Sequence, residues 1–132
     1  MEKSEEQCRL HGHSSQGTNQ DAREHFGRIR RENMTDDIVW TLPGTSLISG
    51  EASGVDAVIA RAHRIVSYEL TFNLKHIMIG QSGLALSLHN TASKGTQSLD
   101  EHLATVCTLR DGKICEINTY LSDVEMVNAF FV

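Results

Sequence analysis

The sequence of 132 residues lacks the features by which many proteins are classified at sight. No apolar run approaches the roughly 20 residues that a membrane-spanning helix needs. Met1 is followed by a charged stretch rather than the hydrophobic core of a signal peptide, and we therefore expect a cytoplasmic protein without a membrane partner. Three cysteines are too few for a disulfide framework.

Aromatic and basic residues are also scarce. The chain has one Trp, two Tyr and four Phe, and its 12 Lys and Arg are outnumbered by 17 Asp and Glu, for a net charge of −5. A nucleic-acid-binding domain carries a basic patch that this composition does not supply. We therefore expect no nucleic-acid partner.

No familiar catalytic signature occurs in the chain, which lacks a P-loop, a G-x-S-x-G motif, an H-E-x-x-H motif and a dinucleotide-binding glycine motif. Cys8, His11 and His13 form a C-x-x-H-x-H cluster, but a fourth ligand is lacking and we expect no metal site. Seven histidines are the composition's one hint of chemistry near neutral pH. An enzyme that works without a cofactor is consistent with these absences, since a few acids and bases in an apolar cavity can move protons.

Charge is distributed unevenly along the chain. Nearly half of the charged side chains lie in the first 37 residues, whereas nearly all the aliphatic ones lie in the remainder. We interpret residues 1–20 as a polar, mobile segment and residues 21–132 as one domain.

Hydrophobic periodicity predicts an α+β domain. The clearest helix spans 54–67, where apolar residues recur at every third or fourth position. The predicted helices cover 21–33, 54–67 and 123–130, and the predicted strands cover 38–42, 47–52, 69–79, 83–92, 97–109 and 114–121. The helices would lie on one face of a curved antiparallel sheet.

The turn between the fourth and fifth strands determines which polar residues can meet. A three-residue loop at 93–95 would place His89 opposite Leu99. The same register would place Glu101 opposite Ser87. Because side chains alternate between the two faces of a strand, His89 and Glu101 would then share a face. A histidine held by a carboxylate is a sensible general base, so we expect His89 to face a pocket.

The following hairpin allows two registers. A two-residue turn at 111–112 pairs Leu109 with Ile114. A three-residue loop with a bulge pairs Leu109 with Lys113 instead. The face of His89 would carry Asn118 and Tyr120 in the first register, and Glu101, Leu103, Thr105, Ile117, Thr119 and Leu121 in the second. His102 would lie on the opposite face in both.

Three segments carry familiar motifs. They are D-D-I-V-W-T-L-P-G at 36–44, S-G followed by G-V-D-A-V at 49–58, and L-R-D-G-K-I followed by Y-L-S-D at 109–123. In this order and spacing they resemble SnoaL-like polyketide cyclases. The resemblance implies the nuclear transport factor 2-like cone, in which a curved antiparallel sheet wraps around about three helices and encloses a pocket. It also implies a homodimer.

The resemblance suggests site residues as well. Asp123 is the nearest match to the carboxylate that these cyclases use near the end of the last strand, although the S-x-x-E capping box around it leaves a structural role open. Trp40 lies where the family points an aromatic or histidine side chain into the pocket, although packing in the core is the alternative. Tyr120 matches a tyrosine of the family and would either hydrogen-bond a ligand or fill the cone. Related ketosteroid isomerases place a protonated Asp near the position of Thr105, whose hydroxyl would still be a donor.

The epoxide hydrolases that share the fold use an Arg-x-Asp pair at the positions of 89–91 and another Asp near Thr119, and this chain has none of these charged groups. We therefore expect a cofactor-independent cyclase or isomerase that acts by acid–base catalysis on a small apolar, oxygenated metabolite of polyketide or terpenoid type. The alternatives are a non-catalytic small-ligand-binding protein of the same fold, and an epoxide-opening hydrolase or cyclase with a different acid–base set.

The sequence thus predicts two groups of residues for the site. The catalytic candidates are His89, Glu101, Asp123 and His102. The substrate-binding candidates are Trp40, Thr105, Thr119 and Tyr120. We expect neither a metal ion nor a cofactor.

Overall fold

The computed structural model describes residues 31–132, which form six strands and two helices after a short 3-10 turn at Arg31–Asn33. The elements are β1 (Met34–Leu42), β2 (Gly50–Ser53), α1 (Val55–Ser67), β3 (Thr71–Ile79), β4 (Gly83–Lys94), β5 (Gln97–Arg110), β6 (Lys113–Leu121) and α2 (Val124–Phe130). Each element predicted from residue 38 onward is present, with bounds that differ by a few residues. The predicted helix over 21–33 falls almost wholly outside the described residues, and the cluster of Cys8, His11 and His13 falls outside them.

The strands form one mixed sheet in the order β2-β1-β6-β5-β4-β3. Neighbouring strands are antiparallel except β1 and β6, which are parallel. The prediction of a wholly antiparallel sheet is therefore wrong at this pair. After β1 the chain forms β2 and α1 and then crosses to β3 at the opposite edge of the sheet. The antiparallel run from β3 to β6 brings the last strand back beside β1. Hydrophobic periodicity describes single strands and does not report pairing between strands so distant in sequence.

One face of the sheet packs with both helices to form the core. Leu84, Cys107 and Ile117 lie side by side on three neighbouring strands and are buried. The helices add Val58, Ala62, Ile65, Val127 and Phe130 to the same cluster. We call the sheet face that carries Leu84 the inner face and the opposite one the outer face.

The turn between β4 and β5 consists of two residues, Gly95 and Thr96, so that Lys94 pairs with Gln97. Gly95 has a φ of 62°, in the left-handed region that glycine enters without steric cost. The predicted three-residue loop at 93–95 is therefore wrong. Because the true register differs from the predicted one by an odd number of residues, each β5 side chain lies on the face opposite to the one predicted.

This register rearranges the predicted catalytic residues. His89 lies opposite His102, and Asn90 lies opposite Glu101. The prediction that His89 and Glu101 share a face is wrong. The prediction that His102 lies on the other face from His89 is wrong for the same reason.

The β5–β6 hairpin combines features of both predicted registers. The turn at 111–112 has two residues with φ of 54° and 82°, as a type I′ turn requires, and Leu109 pairs with Ile114. A bulge between Thr108 and Leu109 then shifts the pairing by one residue. Beyond the bulge, the relative faces of β5 and β6 are those of the second predicted register, although the turn is that of the first.

Gly83 begins β4 where this strand passes close to β5. A Cβ atom at this position would lie 2.1 Å from the carbonyl oxygen of Cys107, whereas one at Gly80 would meet only the Gly83 carbonyl oxygen at 3.5 Å. We expect Gly83→Ala to lower the free energy of unfolding by about 1–3 kcal/mol. The control Gly80→Ala should change it by less than about 0.5 kcal/mol. Urea unfolding followed by circular dichroism measures both, and equal effects would contradict this close approach.

Candidate functional site

The structure divides seven of the eight predicted site residues between the two faces of the sheet. The inner face carries Trp40, Glu101, Thr105 and Thr119, and the outer face carries His89, His102 and Tyr120. Asp123 lies at the start of α2. Because the strand backbone separates the two faces, His89 is not positioned by Glu101. The chemical role of each residue stays a prediction.

Glu101 is a buried acidic residue, with only 2% of its surface exposed. Its Oε2 atom accepts hydrogen bonds from the backbone N–H of Ser122, from the Ser122 hydroxyl at 2.8 Å and from the backbone N–H of Asp123 at 3.1 Å. These donors lie where β6 ends and α2 begins. One carboxylate oxygen therefore joins the middle of β5 to the segment that leads into α2.

The other carboxylate oxygen of Glu101 has a different environment. Within residues 31–132, Oε1 of Glu101 and Oδ1 of Asn90 are buried atoms without a hydrogen-bond partner. Their side chains are direct cross-strand neighbours on the inner face. A buried acceptor without a donor costs roughly 1–3 kcal/mol. A group that donates hydrogen bonds, such as a ligand hydroxyl or a water molecule, would satisfy these acceptors.

A chain of hydrogen bonds crosses the inner face from β1 to β5. Nε1 of Trp40 donates to Oγ1 of Thr119 at 3.0 Å, and this oxygen lies 3.2 Å from Oγ1 of Thr105. The indole N–H is only a donor, so Thr119 is free to donate its own proton to Thr105. In that arrangement the Thr105 hydroxyl proton is available to a ligand oxygen.

Arg61 of α1 fixes Trp40 from the other side. Its guanidinium lies 5.3 Å from the centre of the Trp40 ring and donates to the carbonyl oxygens of Trp40 at 3.0 Å and Ser49 at 3.1 Å. Burial lowers the pKa of Arg61, because desolvation penalises its charged form. Trp40 is thereby held in the core with its indole directed at Thr119.

Apolar side chains lie between the polar pair and the hydrogen-bond chain. On the inner face the β4–β5 pairs run in the order Asn90–Glu101, Leu88–Leu103, Leu86–Thr105 and Leu84–Cys107. The two middle pairs are half-buried, whereas the first and last pairs of this series are buried. We call Leu86, Leu88, Leu103 and Thr105 the inner patch. It is an apolar surface with an acid and an amide at one end and a hydroxyl at the other.

Asp123 and Tyr120 have environments that differ from those implied by the family resemblance. Asp123 is the N-cap of α2, and its side chain accepts from the backbone N–H of Met126 at 3.1 Å. The sequence predicted a capping box that begins at Ser122, and this is wrong by one residue because the Ser122 hydroxyl bonds to Glu101 and Asp123 is the cap. Tyr120 is 62% exposed on the outer face, opposite Ala104. The prediction that Tyr120 either binds a ligand in the cone or fills it is not supported by this position, which follows from the bulge in the β5–β6 hairpin.

Sequence reasoning missed Asn90, Ser122 and Arg61. Asn90 would have been found if the turn had been assigned to Gly95 and Thr96, because that register pairs it with Glu101. Ser122 was recognised only as part of a capping box. Arg61 has no sequence signal, because its partners are backbone carbonyls of β1 and of the segment before β2.

No protein-family profile matches the sequence, and no curated protein is similar to it. Solved structures are similar. Bal32a, from a soil-derived mobile gene cassette, is 21% identical, with 99% of this chain and 98% of that chain covered and a TM-score of 0.76. An NTF2-like protein of unknown function from Burkholderia pseudomallei K96243 is 13% identical, with 100% and 99% covered and a TM-score of 0.73.

A third structure comes from Jannaschia sp. CCS1 and is proposed to be a SnoaL-like polyketide cyclase. It is 16% identical, with 83% of this chain and 78% of that chain covered and a TM-score of 0.63. Similarity at these identities establishes the fold, which is the nuclear transport factor 2-like α+β cone predicted above. No helix within residues 31–132 is both long and apolar enough to cross a membrane.

The bonds to Glu101 predict a measurable contribution to stability. Glu101→Ala removes the acceptor for the backbone N–H groups of Ser122 and Asp123, and we expect the free energy of unfolding to fall by about 2–3 kcal/mol. Glu101→Gln keeps one acceptor oxygen and should cost less. Glu116→Ala, at an exposed position of β6, is the control and should change stability by less than about 0.5 kcal/mol. Urea titrations would refute the assignment if Glu101→Ala behaved like the control.

Proposed function

We propose that the protein binds a small apolar, oxygenated metabolite on the inner patch and acts on it as a cofactor-independent cyclase or isomerase. The observation that carries this proposal is the pair of buried acceptors, Oε1 of Glu101 and Oδ1 of Asn90, beside half-buried Leu88 and Leu103. A ligand with one hydrogen-bond-donating group and an apolar body would satisfy both acceptors and cover both leucines. The Jannaschia protein, with its proposed cyclase activity, supports this class of reaction.

Glu101 is the acid–base residue in this proposal. Its Oε2 atom is held by Ser122 and Asp123, so Oε1 keeps one position from which it can take a proton from carbon or oxygen and return it elsewhere. Asn90 orients the group that carries this proton. The Thr105 hydroxyl donates to the substrate oxygen on which negative charge develops, and Trp40 forms an apolar wall.

His89 and His102 do not reach the substrate in this proposal, because they lie on the outer face. Asp123 acts only through its backbone N–H to Glu101 and through its cap on α2. These three residues keep their predicted catalytic roles only if a substrate binds outside the inner patch.

A non-catalytic binding protein is the second candidate. The observation in its favour is that neither histidine of β4 and β5 shares a face with Glu101, so no histidine–carboxylate pair is available on the inner patch. Such a protein would bind the same class of ligand, with Glu101 and Asn90 serving only as hydrogen-bonding groups. Turnover separates the two candidates, whereas binding does not.

Trp40 makes ligand binding measurable. It is the single tryptophan of the chain, and its indole is two hydrogen bonds away from Thr105 in the inner patch. We expect hydroxylated and keto-bearing aromatic or terpenoid compounds to change its fluorescence with saturation. Replacement of Leu88 by Glu should weaken this binding by about tenfold or more, because a charge would enter the apolar patch. Glu116→Gln, on the outer face, is the control and should leave ligand binding unchanged.

Glu101→Gln tests catalysis on a ligand identified in that way. The amide can bind but cannot accept a proton, so we expect kcat to fall by about 100-fold or more while the binding constant changes much less. Glu116→Gln should leave both unchanged. Full turnover in Glu101→Gln would overturn the acid–base role, and binding without turnover in the unmodified protein would favour the non-catalytic candidate.

We also propose a cytoplasmic homodimer that pairs through the outer face, as the family resemblance implies. In residues 31–132, Met78 and Tyr120 are large exposed side chains of that face. Light scattering at micromolar concentration should give twice the mass of one chain. Tyr120→Glu should reduce this to the mass of one chain, and a monomer before the substitution would contradict the proposal.

A further inference from the structure

A second group of chemically active side chains lies on the outer face, away from the inner patch. His89 and His102 are directly opposite each other on β4 and β5, and their rings stack with centres 4.1 Å apart and planes 9° from parallel. Asp100, two residues before His102, lies on the same face, with Oδ1 at 2.6 Å from Nε2 of His89. One ligand atom from each residue falls within a group in which every distance is at most 4.8 Å.

We propose that His89, Asp100 and His102 bind one divalent transition-metal ion of the zinc class. Two imidazole nitrogens and one carboxylate oxygen are a donor set that Zn²⁺ takes in sites that keep a fourth position for water. This inference is independent of the proposed ligand site on the inner patch, because the sheet backbone separates these side chains from Glu101. It differs from the expectation of no metal site that the sequence suggested.

The geometry requires a small rearrangement, in which the widest spacing closes and the 2.6 Å contact between Nε2 of His89 and Oδ1 of Asp100 opens. Metal–ligand bonds of about 2.0–2.2 Å bring the ligand atoms of a tetrahedral site to roughly 3.4 Å from one another. The present spacing, with every distance at most 4.8 Å, exceeds this by no more than about 1.4 Å. Asp100 and His102 are exposed, so their side chains can rotate toward a metal ion without displacing core residues. His89 is already positioned by its bond to Asp100.

The surroundings of the three residues favour a cation. Oδ1 of Asp100 bonds to His89, whose ring lies against that of His102. Asn73 lies opposite His89 on β3, and its Oδ1 atom is buried and without a hydrogen-bond partner in the described part of the chain. An amide oxygen beside the site is an acceptor for metal-bound water. The outer face therefore offers two imidazole nitrogens, one carboxylate oxygen and one acceptor nearby.

Zinc titration by calorimetry tests the site in the full chain. Cys8→Ser, His11→Ala and His13→Ala are introduced first, because that cluster also carries potential ligands. We expect this parent to bind one Zn²⁺ per chain. His89→Ala and His102→Ala should each weaken binding by about tenfold or more, because one of three ligands is lost. Asp100→Asn should weaken it as well.

His76→Ala is the matched control, since His76 is an exposed histidine of the neighbouring strand β3 outside the cluster. It should leave the affinity unchanged. Nitrogen-15 NMR of the parent gives a second readout that needs no variant, because zinc should shift the imidazole signals of His89 and His102 and not that of His76. Absence of zinc binding in the parent, unchanged binding in His102→Ala, or equal loss in His76→Ala would each overturn the proposal.

Discussion

The register between β4 and β5 is the constraint on which the arrangement of polar groups depends. Gly95 takes the left-handed conformation that a two-residue turn needs, and this turn pairs Lys94 with Gln97. A strand alternates its side chains with a period of two, so the turn assigns Glu101 to the core and His102 to the opposite face. A turn longer or shorter by one residue would bury the histidine and expose the acid. The chemistry available to each face follows from a few backbone torsions.

The buried acid links the sheet to the end of the chain. Glu101 accepts from Ser122 and Asp123, so the carboxylate holds the segment from which α2 starts. The helix in turn adds Val127 and Phe130 to the core. Hydrogen bonds offset the free-energy cost of burying a carboxyl group. Within the described residues, only one of the two oxygens of Glu101 has such bonds. The oxygen without a partner is the reason to look for a ligand there.

The sequence was sufficient for the elements and the fold, and insufficient for the site. Apolar periodicity located α1, and the two-residue turn at 111–112 is one of the two turns that the sequence allowed. Strand pairing was harder to predict. A one-residue bulge near Thr108, and a turn at 95–96 in place of a loop at 93–95, leave the hydrophobic pattern almost unchanged. Each nevertheless moves the side chains of the following strand to the other face of the sheet, relative to the strand before it. The hydrophobic pattern therefore did not predict which candidate residues are neighbours, and His89 was matched with Glu101 instead of His102.

Ser122 is the point at which the two faces are connected. Its hydroxyl donates to Oε2 of Glu101 on the inner face and accepts from the backbone N–H of His102, whose side chain lies on the outer face. Its backbone N–H also bonds to the carbonyl oxygen of His102. A change in the position of His102 would therefore reach Glu101 through the backbone rather than through side-chain contact. Because these bonds fix the backbone on both sides of Ser122, the two sites have no side-chain contact through this residue and share the support that holds each in place.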